Sequence, residues 1–327
     1  MKVLVTGAAG FIGYHMSEAL LKKGYKVIGI DSMNPYYDVN LKKCRLEKLK
    51  QNKDFSFYHL NLEDNQAILN FGKEHSDISY IIHLAAQAGV RYSLEAPFSY
   101  AQANLIGHLA MLELCRSLPH LKHFVYASSS SVYGANEKLP FAVEDRVDTP
   151  ISLYAATKKS AELMTYSYSH LFKIPATGLR YFTVYGPWGR PDMSAFIFTK
   201  AILNDQEMPV FNHGDMRRNF TYVDDVVNGT IACMENAALI HKDLSVTHKL
   251  YNIGNNRSEK LMDFIHLIEE VLGKKAKIRF EGMQPGDVKE TIAHIKDSTD
   301  DFGFKPETSI KQGVPNFVNW YRDYYNV

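Results

Sequence analysis

Cysteine is scarce in this 327-residue chain: Cys44, Cys115 and Cys233 are an odd number, widely spaced, with no C-x-x-C pattern and no clustered histidine beside them. That argues against a disulfide framework and a structural zinc site, and no metal is expected. An excess of one charge is also missing, since 37 Lys and Arg stand against 36 Asp and Glu. No net field draws such a chain to nucleic acid or to an anionic membrane, so any anionic ligand must be held locally. No segment approaches the roughly 20 apolar residues that span a bilayer. Met1 leads straight into an apolar, strand-like run rather than into a basic stretch, a long apolar stretch and a small-residue cleavage site. Fixed-period repeats and low-complexity stretches are absent as well. The expectation is a cytoplasmic globular protein, its apolar fraction of 46% sufficient for a sizeable core.

The first 180 residues alternate short apolar runs with helical patterns, as right-handed crossover units of a parallel sheet do. Strands are expected near 2–6, 26–30, 55–59, 79–84, 122–127 and 175–180. Helical spacing of apolar residues covers 11–23, 64–75, 99–117 and 152–171, with a charged helical insertion after Asp38. The fold class is therefore α/β, a doubly wound parallel sheet of Rossmann type. From Phe182 onward Gly186, Pro187, Gly189, Pro191 and Pro209 break the alternation, which marks a smaller C-terminal lobe. A helix from about Val223 and a strand at 249–253 look suited to return to the first sheet. The division expected is 1–181, with parts of 217–256 returning, for a dinucleotide-binding domain, and 182–216 with 257–327 for a substrate-binding lobe.

Strand 2–6 runs into Gly7-Ala8-Ala9-Gly10-Phe11-Ile12-Gly13 and then a helical pattern. A turn without Cβ atoms lets the backbone approach a pyrophosphate, and the helix that follows aims N–H groups and the positive end of its dipole at it. Asp31, after the second strand, suits the adenosine ribose hydroxyls and would repel a 2′-phosphate, so NAD is expected over NADP. Asn61 and Leu62 after the third strand, and Leu84, Ala85 and Ala86 after the fourth, fall at sheet ends where a dinucleotide would lie. Asn104, Ser128 and Tyr181 are added to the expected cofactor-binding set.

Tyr154 and Lys158 lie one helical turn apart on one face. A free Tyr, with a pKa of about 10, is a poor base at neutral pH; a nearby Lys cation and a positively charged nicotinamide would stabilise its phenolate. One crossover earlier, Ser128-Ser129-Ser130-Ser131 presents hydroxyls at a strand end, where a serine can hydrogen-bond a reacting sugar oxygen.

The G-x-x-G-x-x-G turn with Ser129, Tyr154 and Lys158 resembles the extended short-chain dehydrogenase/reductase family over nearly the whole chain. The resemblance implies tightly held NAD and hydride transfer at a sugar carbon. By position relative to Tyr154, Ser129 falls where that family places its catalytic Ser or Thr, with Ser130 and Ser131 its nearest competitors. In sugar 4,6-dehydratases this loop carries Thr-Asp-Glu, whose acidic pair performs the elimination, whereas Ser129-Ser130-Ser131 offers neither acid nor base. Arg180-Tyr-Phe-Thr-Val-Tyr-Gly-Pro-Trp-Gly-Arg-Pro-Asp-Met193 closely resembles the corresponding stretch of UDP-glucuronate 4-epimerases, as do Asn34–Asn40 and Gln87–Ser93.

That likeness implies a UDP-sugar substrate, with Thr183 and Ser130 or Ser131 on a uronate carboxylate and Arg91 and Arg190 near the sugar. Gly214–Asp225 resembles a diphosphate-binding segment, with Arg218 the expected ligand. Gln284-Pro285-Gly286-Asp287-Val288 resembles a nucleotide-covering loop in which Asp287 accepts from a ribose, although many relatives have Arg where Gln284 stands. A homodimer through 99–117 and 152–171 is implied too. Four functions stay open: 4-epimerisation of UDP-glucuronate, the same reaction on UDP-glucose or UDP-N-acetylglucosamine, decarboxylation of UDP-glucuronate, and a non-catalytic NAD sensor.

Overall fold

A computed structural model describes residues 1–284 and 286–327. Pro285, within the Gln284–Val288 motif, lies outside the described residues.

The strands of the amino-terminal part, β1 (Lys2–Thr6), β2 (Lys26–Asp31), β3 (Phe55–His59), β4 (Tyr80–His83), β5 (His123–Ser129) and β6 (Ala176–Tyr181), are joined through helices. These are α1 (Phe11–Lys22), α2 (Val39–Lys50), α3 (Asn65–Glu74), α4 (Tyr92–Glu95), α5 (Pro97–Ala101), α6 (Gly107–Ser117) and α7 (Leu153–Phe172). Except for the edge strand β3, the strands are short, largely apolar runs such as Lys2-Val-Leu-Val-Thr6, buried on both faces, which is what a parallel sheet covered by helices demands. Val5 of β1 lies opposite Gly29 of β2 on one side and Ile82 of β4 on the other.

Beyond β6 follow β7 (Thr183–Tyr185), α8 (Ser194–Leu203), β8 (Glu207–Val210), β9 (Arg217–Arg218), β10 (Phe220–Tyr222), α9 (Val223–Glu235), α10 (Ala237–Ile240) and β11 (His248–Ile253). The chain closes with β12 (Glu259–Lys260), α11 (Leu261–Leu272), β13 (Lys277–Phe280), α12 (Lys296–Phe302) and α13 (Ile310–Tyr325). Strand β11 joins the main sheet beside β6, completing a seven-stranded parallel sheet in the order β11-β6-β5-β4-β1-β2-β3. The order reverses between β1 and β4, the place where open α/β sheets form their ligand crevice.

Two cores cover the two faces of the sheet. One contains Val3, Val5, Val27, Ile82, Val125 and Leu179 with Met16, Leu20 and Val227; the other contains Leu4, Ile28, Ile81 and Phe124 with Ile68, Met111 and Leu114. A third core of Phe196, Val210, Phe220, Phe264, Val314 and Phe317 gathers α8, α11 and α13 around the short strand pairs β7–β10 and β8–β13.

The expected 99–117 helix is present and runs unbroken from Pro97 to Ser117, but it widens into a π turn over 102–106 between α5 and α6. Asn104, in that turn, donates to Gln87 O at 2.9 Å and accepts from Gln87 N at 2.8 Å, and it also donates to Thr157 Oγ1 at 3.0 Å. The local widening accompanies a side chain spent on a loop and on α7 rather than on the helix's own regular ladder.

Candidate active site

The carboxyl ends of β1, β2, β4, β5 and β6 open into one cavity of about 450 Å3. Its floor is the turn from Gly7 to Gly13. Gly7 has φ +72°, and a Cβ there would sit 2.9 Å from the Ala85 nitrogen; a Cβ on Gly13 would run into the Gly7 carbonyl oxygen. Only glycine lets the loops after β1 and β4 close this tightly. Gly10 caps α1 without a side-chain acceptor, so the positive end of the helix faces the cavity. The N–H groups of Gly7, Ala8, Ala9 and Gly10 are bonded within the protein, so a pyrophosphate in this cradle would draw on the first turn of α1, at Phe11, Ile12 and Gly13.

Gly7, Gly10, Phe11, Ile12, Gly13, Asp31, Asn61, Leu62, Leu84, Ala85, Ala86, Ser128 and Tyr181 all line the cavity. Asp31 accepts from the backbone nitrogens of Ala9 at 3.1 Å and Met33 at 2.8 Å, which fixes its carboxylate beside the turn. Ser128 is turned away: its hydroxyl donates to Glu162 Oε1 at 2.7 Å. Asn104 is not among the lining residues, because its amide is used on Gln87 and Thr157.

At the other end Tyr154, Lys158, Ser129, Ser130, Ser131, Thr183 and Arg190 share the same cavity. Ser152 caps α7 by accepting from Ala155 N at 3.1 Å, and this places Tyr154 in the first turn and Lys158 in the next. Burial raises the Tyr154 phenol, against the pull of the Ser129 hydroxyl first and of the Arg190 charge second. The Lys158 ammonium is anchored on Ala127 O at 2.8 Å, and burial lowers it to about 8. Arg190, expected only near the sugar, thus adds positive charge that acts on Tyr154. Arg190 is itself held by Asp192, to which its Nε donates at 3.0 Å, and Tyr36 donates to the same carboxylate at 3.0 Å.

Arg91, Arg218 and Asp287 lie outside this cavity. Arg91 is exposed, with its guanidinium 4.9 Å from the centroid of the Phe211 ring. Arg218 and Asp287 are brought together, but on each other, in an ion pair of 2.7 Å.

Lys42 was not foreseen. It is 5% exposed, lines the cavity near Asp31, and donates to Asn34 O and Oδ1, both at 2.8 Å. Arg45 in the same helix is fully buried, donating to Ala9 O at 2.9 Å and Tyr37 Oη at 2.8 Å, so a segment read as a charged insertion braces the glycine turn. A basic run on a helix gives no sign of this. The Asn34-Pro-Tyr-Tyr37 motif, whose Asn34, Tyr36 and Tyr37 also line the cavity, was the available signal.

Among the described residues no group of three or more His, Cys, Asp or Glu side chains could hold a metal ion, and no helix is long and apolar enough to cross a membrane.

The family model described as GDP-mannose 4,6 dehydratase matches residues 4–317. Protein CapI of Staphylococcus aureus is 49% identical, with 99% of each chain covered. A probable UDP-glucuronate 4-epimerase of Rhizobium meliloti (strain 1021) is 46% identical over 99% of this chain and 98% of its own. Among solved structures, the UDP-glucuronic acid 4-epimerase from Bacillus cereus in complex with UDP-glucuronic acid and NAD superposes with a TM-score of 0.90 at 35% identity. That match covers 99% of this chain and 100% of the other.

Proposed function

The chain belongs to the family described as GDP-mannose 4,6 dehydratase, and from that premise we propose that it is an NAD-dependent epimerase interconverting UDP-glucuronate and UDP-galacturonate at C4. The observation that carries this is a single cavity joining the glycine turn to Tyr154, Ser129 and the hydroxyls of Ser130, Ser131 and Thr183. Dehydration, the reaction in the family's description, needs an acid and a base at the position where Ser130 and Ser131 stand; hydroxyls supply neither.

The turn from Gly7 to Gly13 and the Asp31 carboxylate would hold NAD, which would supply the hydride acceptor and donor for C4. Tyr154 removes the C4 hydroxyl proton as that carbon is oxidised, and Ser129, hydrogen-bonded to the reacting oxygen, keeps the phenol and the sugar in line. The resulting 4-keto sugar turns over in the site, and Tyr154 returns the proton as the other face is reduced. Lys158 stays on the cavity wall as a cation, and Arg190 adds positive charge that favours the Tyr154 phenolate. A 4-keto uronate is a β-keto acid, prone to lose CO2. Hydroxyl donors from Thr183, Ser130 and Ser131 hold its carboxylate and oppose that loss.

The nucleotide anchors the substrate while the sugar turns, so binding energy concentrates on the UDP. Arg218 then exchanges Asp287 for the diphosphate, Asp287 accepts from the ribose, and Arg91 stands at the mouth. Residues 1–181 with the returning parts of 217–256 form the cofactor domain in this reading, and 182–216 with 257–327 the sugar-nucleotide lobe. Ile106, Leu109, Leu163 and Tyr166 leave apolar surface exposed on the 99–117 and 152–171 segments, which suits a homodimer. Leu163→Glu is expected to yield monomers by sedimentation; dimers unaffected by that charge would move the interface elsewhere.

Incubating the purified protein with UDP-glucuronate and following the products by NMR tests the main reading. UDP-galacturonate is expected. UDP-xylose as main product would overturn it in favour of decarboxylation, turnover of UDP-glucose or UDP-N-acetylglucosamine alone in favour of a neutral-sugar epimerase, and no turnover of any UDP-sugar in favour of an NAD sensor.

A further inference from the structure

Glu162 lies on α7 one turn beyond Lys158, with its side chain only 2% exposed and no share in the cavity wall. Its carboxylate is crowded with donors. Oε1 accepts from Arg180 Nε at 2.8 Å and from Ser128 Oγ at 2.7 Å; Oε2 accepts from the Arg180 terminal nitrogen at 3.0 Å and from Lys159 Nζ at 3.3 Å. Arg180, on β6 and 1% exposed, donates further to Val143 O at 3.4 Å. Its guanidinium also lies 4.9 Å from the Tyr133 ring centroid, and Tyr133 in turn donates to Asn252 of β11 at 2.7 Å.

Three elements therefore meet on one carboxylate. Helix α7 carries Tyr154 and Lys158, Ser128 at the end of β5 precedes Ser129, and Arg180 of β6 stands three residues before Thr183. Stability alone does not call for this device, because a buried ion pair repays its desolvation poorly and apolar pairs of similar volume fold as well or better. A bidentate, fully bonded carboxylate does supply fixed relative geometry, which packed methylenes do not. Displacements of about 1 Å in a reacting constellation cost on the order of a hundredfold in rate.

We propose that Glu162 and Arg180 are positioning residues that set Ser129 and Thr183 against Tyr154, acting through Ser128 and β6 without touching substrate or cofactor. The inference rests on the proposed epimerase reading. It extends that reading from the residues that react to the pair that aligns them.

The test compares the wild type with Arg180→Lys and with the double variant Glu162→Met/Arg180→Met, each as the full-length chain as purified. Lysine keeps the charge but cannot grip both carboxylate oxygens, and the double variant removes the charges together. Melting temperatures near the wild type are expected for the double variant, with kcat lowered about tenfold or more, KM within about threefold and a larger share of CO2 among the products. The acid limb of the kcat pH profile should move upward, because Tyr154 loses part of the Ser129 hydrogen bond that opposes its burial. A double variant that regains kcat together with melting temperature would reduce the pair to a structural role, and so would a wild-type kcat in Arg180→Lys should the double variant not fold. A wild type inactive on every UDP-sugar overturns the epimerase reading instead. The alignment is then read from 13C-labelled tyrosine NMR: a Tyr154 titration moved upward in Arg180→Lys supports it, and one unmoved overturns it.

Discussion

Tyr154 is a base in an unfavourable setting, since burial alone pushes its phenol up and only Ser129 and Arg190 push back. Tyr154→Phe removes the proton acceptor without changing the ring's volume. It should lower kcat by about a hundredfold to ten-thousandfold, the usual worth of general acid–base catalysis, with nucleotide affinity unchanged by calorimetry. A loss under tenfold would shift the base to another group. Thr183→Ala should raise the CO2 released per epimerisation, measured by headspace analysis beside NMR of the sugar products; an unchanged ratio would free Thr183 from its role at the carboxylate. That Tyr154, Lys158, Ser129 and Thr183 share one cavity was legible at this scale, the first two from helical spacing and the others from the family resemblance of their segments. Lys42 and Arg45 were not. Helix α2 has charged residues on most of its surface, and nothing in a basic run tells which two turn inward to bond Asn34 and Ala9.

At the scale of elements the sheet followed from burial. Runs such as Val27-Ile28-Gly29-Ile30, buried on both faces, fit only a strand covered by two helical layers, and the crossover helices confirm their spacing. What eluded the periodicity was the π turn over 102–106, which goes with bonds from Asn104 to the Gln87 backbone that helical spacing does not show. The Arg218–Asp287 pairing was out of reach for a similar reason: the partners are 69 residues apart, and each was read as a separate ligand. The glycine turn, in contrast, is both local and testable. A methyl at Gly13 meets the Gly7 carbonyl, backbone that cannot step aside as a side chain could. Gly13→Ala should therefore weaken NAD binding tenfold or more while the helix, which favours Ala over Gly by about 1 kcal/mol, still forms. Cofactor content after acid release measures it, and a full complement of NAD in the variant would remove the turn from the cofactor site.

Across the whole molecule, the heart of the sheet is sealed with neutral histidines. Burial depresses both His108 and His123 to about 3. His123 sits between Met234 O at 3.2 Å and Thr177 Oγ1 at 2.8 Å, an acceptor and a hydroxyl that can donate, which satisfies one neutral tautomer, while burial first and the nearby His241 second disfavour the charged ring. His108 faces Thr165 Oγ1 at 2.8 Å, with the Lys158 cation adding to the burial that keeps it neutral. Because the folded values lie below the unfolded value of about 6.5, the unfolded chain binds more protons between the two. Their contribution is complete above pH 6.5 and is lost as the pH falls from there toward 3, at about 1.4 kcal/mol per unit for each ring. Two rings lose about 4 kcal/mol by pH 5, a large part of a net stability of about 5–15 kcal/mol. The melting temperature should drop steeply between pH 6.5 and 5, before most carboxylates titrate, and His123→Gln should flatten that slope even if it melts lower at pH 7.5. A melting curve level down to pH 5 in the wild type would mean that these rings are charged already or reach water in the folded state.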